Sequence, residues 1–162
     1  MNRNKTKQLA NAGMIAALYV VLTWIANLAG LASGAIQVRL SEALTILPVF
    51  TASAVPGLSV GCVLANLVTG CAPWDVVFGS LATLIGAVGT RLLKDRPMLA
   101  WIPPVVSNAV IVPIILLKVY GVPDAWWFLV LTVGAGEIIS CGILGLLLWK
   151  SLKNIPQIRG ME

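Results

Sequence analysis

The chain has 162 residues, of which 59% are hydrophobic and only 10% are Asp, Glu, Lys or Arg, against roughly 25% charged in ordinary soluble proteins. A mean hydropathy of +0.95, with apolar stretches recurring from Leu9 to Trp149 and the charges between or at the ends of them, describes an integral membrane protein. The same arithmetic excludes a disordered chain and a disulfide-built secreted scaffold, and 11 basic against 6 acidic residues, for a net charge of +5, supply no dense basic groove for nucleic acid.

A helix needs about 20 apolar residues to cross roughly 30 Å of hydrocarbon. Residues 9–31 form an uncharged run directly after Arg3, Lys5 and Lys7 and are the first expected span. A cleaved leader begins the same way, but its apolar core is usually about 7–15 residues. The small residues at 32–34 form only a loose cleavage site in a chain that stays apolar afterwards. A polar connection follows, carrying Gln37, Arg39, Ser41 and Glu42 within six positions.

Residues 40–55 and 57–70 read as two short helices, with Pro56-Gly57 as the tight turn between them. Short helices persist at membrane depth where protein covers them or where they line a cavity. Spans over 74–93, 98–117 and 125–149 complete the expected architecture: an all-α membrane protein, a single domain built as a compact bundle of six transmembrane helices.

With the amino terminus inside, six spans put Arg3, Lys5, Lys7, Arg91, Lys94, Arg96, Lys150, Lys153 and Arg159 on the cytoplasmic side, nine of the eleven basic residues. Lys and Arg bias short loops in that sense. Arg39 and Lys118 fall towards the outside, together with Glu42, Asp75 and Asp124. The expected protein is therefore multi-pass in the cell membrane, with both termini cytoplasmic.

An ionisable group inside a span is costly unless it meets a partner or a polar cavity, so each marks a candidate site. Glu137 lies mid-span in Gly134-Ala135-Gly136-Glu137, and serves either solute binding or an internal pair with Arg39 or Lys118. Asn108, between Pro103-Pro104 and Pro113, offers an amide donor and acceptor beside carbonyls freed by proline, for a ligand or for a neighbouring helix. Arg39 and Glu42 are three apart; on a helix they share a face, where they pair with each other or meet solute in an outer vestibule. Trp74-Asp75 and Trp126-Trp127 read either as interfacial anchors with a helix cap or as walls and edge partners for a flat, nitrogen-rich ligand. Ala12 with Ala16, and Gly13 with Ala17, are spaced i,i+4 and allow close helix packing, inside this protein or against another.

Catalytic readings fall away. The chain has no Gly-x-x-x-x-Gly-Lys-Ser/Thr loop, no His-Glu-x-x-His and no histidine, so nucleotide hydrolysis and histidine-based chemistry lack their parts. If the protein helps to pump anything, the energy has to come from another chain or an ion gradient. Cys62, Cys71 and Cys141 are spread singly among apolar residues, which suits buried thiols better than a metal site or a disulfide. No metal and no cofactor is expected.

The residues so isolated also carry a family likeness. Through Ala12-Gly13-Met14-Ile15-Ala16-Ala17-Leu18-Tyr19, Gly34-Ala35-Ile36-Gln37-Val38-Arg39-Leu40-Ser41-Glu42-Ala43-Leu44, Pro73-Trp74-Asp75-Val76-Val77-Phe78-Gly79-Ser80-Leu81-Ala82-Thr83-Leu84, Pro103-Pro104-Val105-Val106-Ser107-Asn108-Ala109 and Gly134-Ala135-Gly136-Glu137, the chain resembles the substrate-binding (S) components of energy-coupling factor transporters. Among them it is most similar to the queuosine-precursor transporters.

The resemblance implies a subunit that binds a vitamin-like solute outside and docks onto an energy-coupling transmembrane subunit driven by two cytoplasmic ATPase subunits. The implied docking face is Ala12 and Ala16 with Gly13 and Ala17, where added bulk, as in Ala16→Trp, should disrupt assembly and spare solute binding. The implied solute is a 7-cyano or 7-aminomethyl 7-deazaguanine. Its binding set is then Gln37, Arg39, Glu42, Trp74, Asp75, Asn108, Trp126, Trp127 and Glu137. Within it Glu137 or Asp75 takes the donor edge of the ring, Asn108 with Gln37 or Arg39 meets its acceptors, and Trp74 with Trp126 or Trp127 stacks on it. Two other readings are an ion-gradient-coupled carrier with Glu137 as its titrating group, and a structural or assembly subunit that binds no solute.

Overall fold

A computed structural model describes residues 3–31 and 36–155. Arg159 and the small residues at 32–34, read above as topology and as a loose cleavage site, lie outside the described residues. Helices are numbered here in chain order whatever their pitch. They are α1 (Arg3–Leu28), α2 (Leu40–Val49), α3 (Ala54–Val68), α4 (Pro73–Leu92), α5 (Ile102–Lys118) and α6 (Trp126–Leu152). Among the described residues there is no strand. The all-helical membrane bundle is therefore what the chain forms.

Four helices are long and apolar enough to cross a membrane, and α2 and α3 are shorter. Helix α2 is a ten-residue 3-10 helix. At about 2.0 Å per residue it rises roughly 20 Å, and the 15 residues of α3 rise roughly 22 Å at 1.5 Å each. Both fall short of the hydrocarbon thickness. The turn between them differs from the sequence expectation: it lies at residues 50–53, and Pro56-Gly57 sits inside the first turn of α3. The first backbone N–H groups of a helix have no internal partner, so a proline there removes nothing the helix uses.

Alternate helices run in opposite directions. At one end α1, α3 and α5 all stop at glycines in the left-handed region, Gly30 (φ 71°), Gly70 (φ 72°) and Gly121 (φ 61°), a conformation that a side chain disfavours. Just beyond them Leu31 N–H donates to Ala26, Cys71 N–H to Asn66 and Val122 N–H to Leu116, at 3.0–3.1 Å. These bonds close the helix ends facing one another around the site.

Helices α1, α3, α4, α5 and α6 pack in that order, and α2 lies against α1, α3, α4 and α6. Lipid tails are as apolar as leucine, so helices associate in a membrane through close van der Waals contact and interhelical hydrogen bonds. Both are present. Gly57 and Gly61 of α3 press against Ala12 and Ala16 of α1: a Cβ on Gly57 would stand 2.8 Å from the Ala12 carbonyl oxygen, and one on Gly61 would stand 3.0 Å from Ala16 Cα. Gly86 and Gly89 of α4 receive Pro104 and Pro103 of α5 in the same way. Tyr19, Leu58, Cys62 and Ala65 are fully buried between α1 and α3.

Polar ties cross the helices. Ser107 Oγ donates to the Ala82 carbonyl at 2.9 Å, Thr90 Oγ1 to Ala100 at 2.7 Å, and Thr23 Oγ1 to Ser41 Oγ at 2.8 Å. Such bonds contribute on the order of 0.6 kcal/mol each. The outer surface is apolar, with Leu9, Leu28, Val68, Leu92 and Leu131 among its most exposed side chains, as a lipid-facing surface requires.

Candidate solute site

A cavity of about 370 Å³ opens where α1, α3 and α5 end and α4 begins. Its polar lining comes from Thr23 and Asn27 of α1, Gln37 and Arg39 ahead of α2, Asn66 of α3 and Thr69 just after it, Asp75 of α4, and Tyr120 beyond α5; Val112, Leu116 and Val122 supply apolar wall. Local structure fixes each group. Asp75 lies in the first turn of α4, whose first residue is Pro73, and a carboxylate is favoured at a helix start by the helix dipole. The Tyr120 hydroxyl donates to Asp75 Oδ2 and accepts the Ala72 N–H at 3.3 Å. That bond to Asp75 first, and partial burial second, raise the Tyr120 phenol above its ordinary value of 10.0.

Asn66 forms the floor. It accepts a hydrogen bond from Arg39 Nη2 at 3.2 Å and donates to the Asp75 carbonyl at 3.1 Å, so one buried amide joins the stretch before α2 to the start of α4. Arg39 is also held from below, where its backbone N–H donates to Ser140 Oγ at 3.1 Å. Ser140 belongs to a π-helical segment of α6, Ile138–Leu144. A π-turn carries an extra residue and re-aims the side chains along it. Just above that segment, Gly136 touches the Gln37 backbone so closely that any Cβ would overlap its carbonyl oxygen.

Beneath the floor lies a second polar group. Glu42 is 1% exposed, Glu137 7% and Asn108 3%. The Tyr19 hydroxyl donates to Glu42 Oε1, Cys141 Sγ donates to Glu137 Oε2 at 3.3 Å, and Thr45 Oγ1 donates to the Glu42 carbonyl at 2.6 Å. Among the described residues Glu42 Oε2 has no hydrogen-bond partner, and the Asn108 amide lies against the Glu137 carboxylate. Donor atoms of Glu42, Glu137 and Cys141 fall within 4.8 Å of one another, a grouping able to hold a cation.

Of the nine residues picked out as solute contacts, Gln37, Arg39 and Asp75 line the cavity, and Glu42, Asn108 and Glu137 form the group below it. Arg39 and Glu42 do not pair as the i,i+3 spacing suggested, because the Arg39 side chain bonds Asn66. The three tryptophans are turned away. Trp74 stacks on Phe78 at 5.9 Å, Trp127 meets Phe128 edge-on, and Trp126 and Trp127 are 52% and 63% exposed. Such exposure suits interfacial anchors, and none of the three is in the cavity lining, where Tyr120 is the aromatic residue.

Sequence reading passed over Tyr120 and Asn66. Asn66 carries the same signal as Asn108, an amide within an apolar helix; Tyr120 is signalled only by its place before Gly121 in a helix-ending loop. The four small residues of α1 also divide. Ala12 and Ala16 face α3, whereas Gly13 and Ala17 are exposed and a Cβ on Gly13 would meet nothing within 4 Å.

Residues 9–154 match the family described as QueT transporter. A curated protein of Lactococcus lactis subsp. cremoris (strain MG1363), described as queuosine precursor transporter QueT, is 34% identical over 97 residues. That alignment covers 59% of this chain and 56% of the relative, so the match spans little more than half the relative's length. No solved structure gives a significant match.

Proposed function

The chain belongs to the QueT transporter family, and from that premise we propose that it captures a queuosine precursor of the 7-deazaguanine type from outside the cell. One observation carries this reading: the cavity, with Arg39 and Lys118, opens at the end of the bundle opposite most of its basic residues. Lys5 and Lys7 at the start of α1, Arg91 in the last turn of α4, Lys94 and Arg96 before α5, and Lys150 and Lys153 at the end of α6 gather at the other end. Lys and Arg favour the cytoplasmic side, so the cavity mouth faces outwards and both termini face the cytoplasm.

The lining suits the solute's chemistry. A cavity of about 370 Å³ is at the small end of ligand pockets, and a guanine-like bicycle is small. Asp75 takes adjacent ring N–H donors, Arg39 and Gln37 donate to the ring carbonyl and nitrogen, and Tyr120 with Val112 and Leu116 contacts the flat faces. Glu42, Asn108 and Glu137 act from beneath. Trp74, Trp126 and Trp127 anchor the outer interface.

The family is one of transporters, not enzymes, and this chain has no phosphate-binding loop of its own. An energy-coupling transmembrane subunit and two cytoplasmic ATPase subunits supply the energy in this reading. The coupling subunit docks on the outward face of α1 at Gly13 and Ala17, since Ala12 and Ala16 are already occupied by α3.

The test is equilibrium binding of 7-deazaguanines, against thiamine and riboflavin, to the purified chain in lipid nanodiscs. Deazaguanines should bind selectively, and Asp75→Asn or Arg39→Gln should weaken them by about 10-fold or more, the usual cost of losing a charged hydrogen-bond partner. Binding of another vitamin in their place would refute the proposal. The buried Glu42–Glu137 pair supports a second reading, a gradient-driven carrier. That carrier would accumulate solute in proteoliposomes containing this chain alone.

A further inference from the structure

A second hollow, of about 440 Å³, lies between α6 and the residues that lead into α5. Its origin is in the packing of α6. The first part of α6 runs along α5, whereas its last turns, Gly145–Leu152, pack on α2, so the two helices part towards the basic end. The π-helical segment Ile138–Leu144 lies where they separate, and its Gly142 leaves the floor without a side chain. A Cβ there would stand 3.4 Å from Trp101 Cε3 and 3.7 Å from Ile138 Cγ2. Trp101 is held as the facing wall by its indole N–H, which donates to the Met98 carbonyl at 2.9 Å.

This groove is unlike the solute cavity. Its lining is apolar except at one end, where Trp149 and Lys150 stand. Met98, Ile138, Ile143 and Leu147 along it are 46–60% exposed, so it opens sideways onto lipid. From Ile138 to Lys150 is twelve residue steps, roughly 18 Å at 1.5 Å each. One leaflet contributes about 15 Å of hydrocarbon, half of the core. The groove therefore has the depth of one leaflet, with a tryptophan and an ammonium at headgroup level.

Charge selects the occupant. Lys94, Arg96, Lys150 and Lys153 lie at this end, where Asp95 is the one acidic residue among the described residues. Lys153 Nζ sits 4.8 Å from the centroid of the Trp149 ring, a second cation beside the mouth of the groove. A transmembrane helix is about 10 Å across and would set apolar side chains against these cations. An alkyl chain ending in a phosphate matches both parts.

We infer that the α5–α6 groove holds one acyl chain of an anionic glycerophospholipid from the leaflet at the basic end, with its phosphate paired to Lys150. The chain fills the gap left where α6 departs from α5. This site is separate from the solute cavity and stands whether or not the solute is a deazaguanine.

The test is native mass spectrometry of the full chain after incubation in detergent with equal amounts of dioleoyl phosphatidylglycerol and dioleoyl phosphatidylcholine, without solute. Phosphatidylglycerol should be retained at least about 5-fold over phosphatidylcholine, the scale of one lysine at an anionic lipid surface. Lys150→Gln should bring that ratio towards one. Lys7→Gln, at the same end but outside the groove, should leave it unchanged, and Gly142→Leu should reduce retention of both lipids by filling the floor. Equal retention by the native chain, or a preference that Lys150→Gln leaves intact or Lys7→Gln removes as well, overturns the inference. So does a dimer that Gly142→Leu disperses, which would make the groove a contact between copies. Phosphatidylglycerol carrying a diazirine in its acyl chain decides on the native chain alone. Its crosslinks should concentrate on residues 98–101 and 138–147, and labelling spread evenly over the lipid-facing helices overturns the inference even if no variant folds.

Discussion

Tyr120 reaches across the mouth of the cavity to Asp75, its hydroxyl donating to the carboxylate while accepting the Ala72 N–H. The donor is the neutral phenol, so the contact favours the protonated form and raises the Tyr120 value above 10.0. The tie is therefore complete below the ordinary value and is lost as pH rises through the raised one.

An ultraviolet titration of the native chain minus that of Tyr120→Phe should accordingly show a phenol ionising above 10.0. Asp75→Asn should bring the midpoint back down. An ordinary midpoint in the native protein would rule out the contact.

The α1–α3 contact makes opposite predictions for neighbouring residues. Gly61 stands against Ala16 and Tyr19 with no room for a Cβ, so Ala16→Trp and Gly61→Val should each lower stability by about 1–3 kcal/mol or more. Ala17→Trp points outwards and should stay within about 0.5 kcal/mol of the native protein. Thermal unfolding in one detergent separates them. If Ala16→Trp unfolds as expected, bulk there does not spare solute binding, and Ala17→Trp is the better probe of docking to the proposed coupling subunit.

Asn66→Ala removes the acceptor of Arg39 and the donor to the Asp75 carbonyl together. Leaving these partly buried groups unmatched should cost about 1–3 kcal/mol of stability. Deazaguanine affinity should fall with it, because Arg39 and the start of α4 lose their common support. Unchanged unfolding and unchanged binding would show that the floor is held by other groups.

The bundle was legible because its signals are local. Uncharged runs such as 9–31, and the basic residues that punctuate them, need no tertiary knowledge to read. The position of the turn before α3 was not, since proline is equally at home in a turn and in the first turn of a helix. Nor can one sequence decide which way an interfacial tryptophan faces: Trp74 and Trp126 satisfy either role by composition, and the packing turns them outwards. Asp75 and Arg39 were legible as charges. Their shared dependence on Asn66 is a long-range contact that no local pattern encodes.

The pitch of α2 has a geometric consequence. In a 3-10 helix residues three apart eclipse one another, whereas in an α-helix two such steps swing the side chain about 120° around the axis. Glu42, Thr45 and Pro48, all fully buried, therefore form one straight file. The file starts at the carboxylate beneath the cavity and ends where Arg91, at the other end of the bundle, donates to the Pro48 carbonyl at 3.1 Å. One column of buried side chains thus links the carboxylate beneath the cavity to the basic end of the bundle.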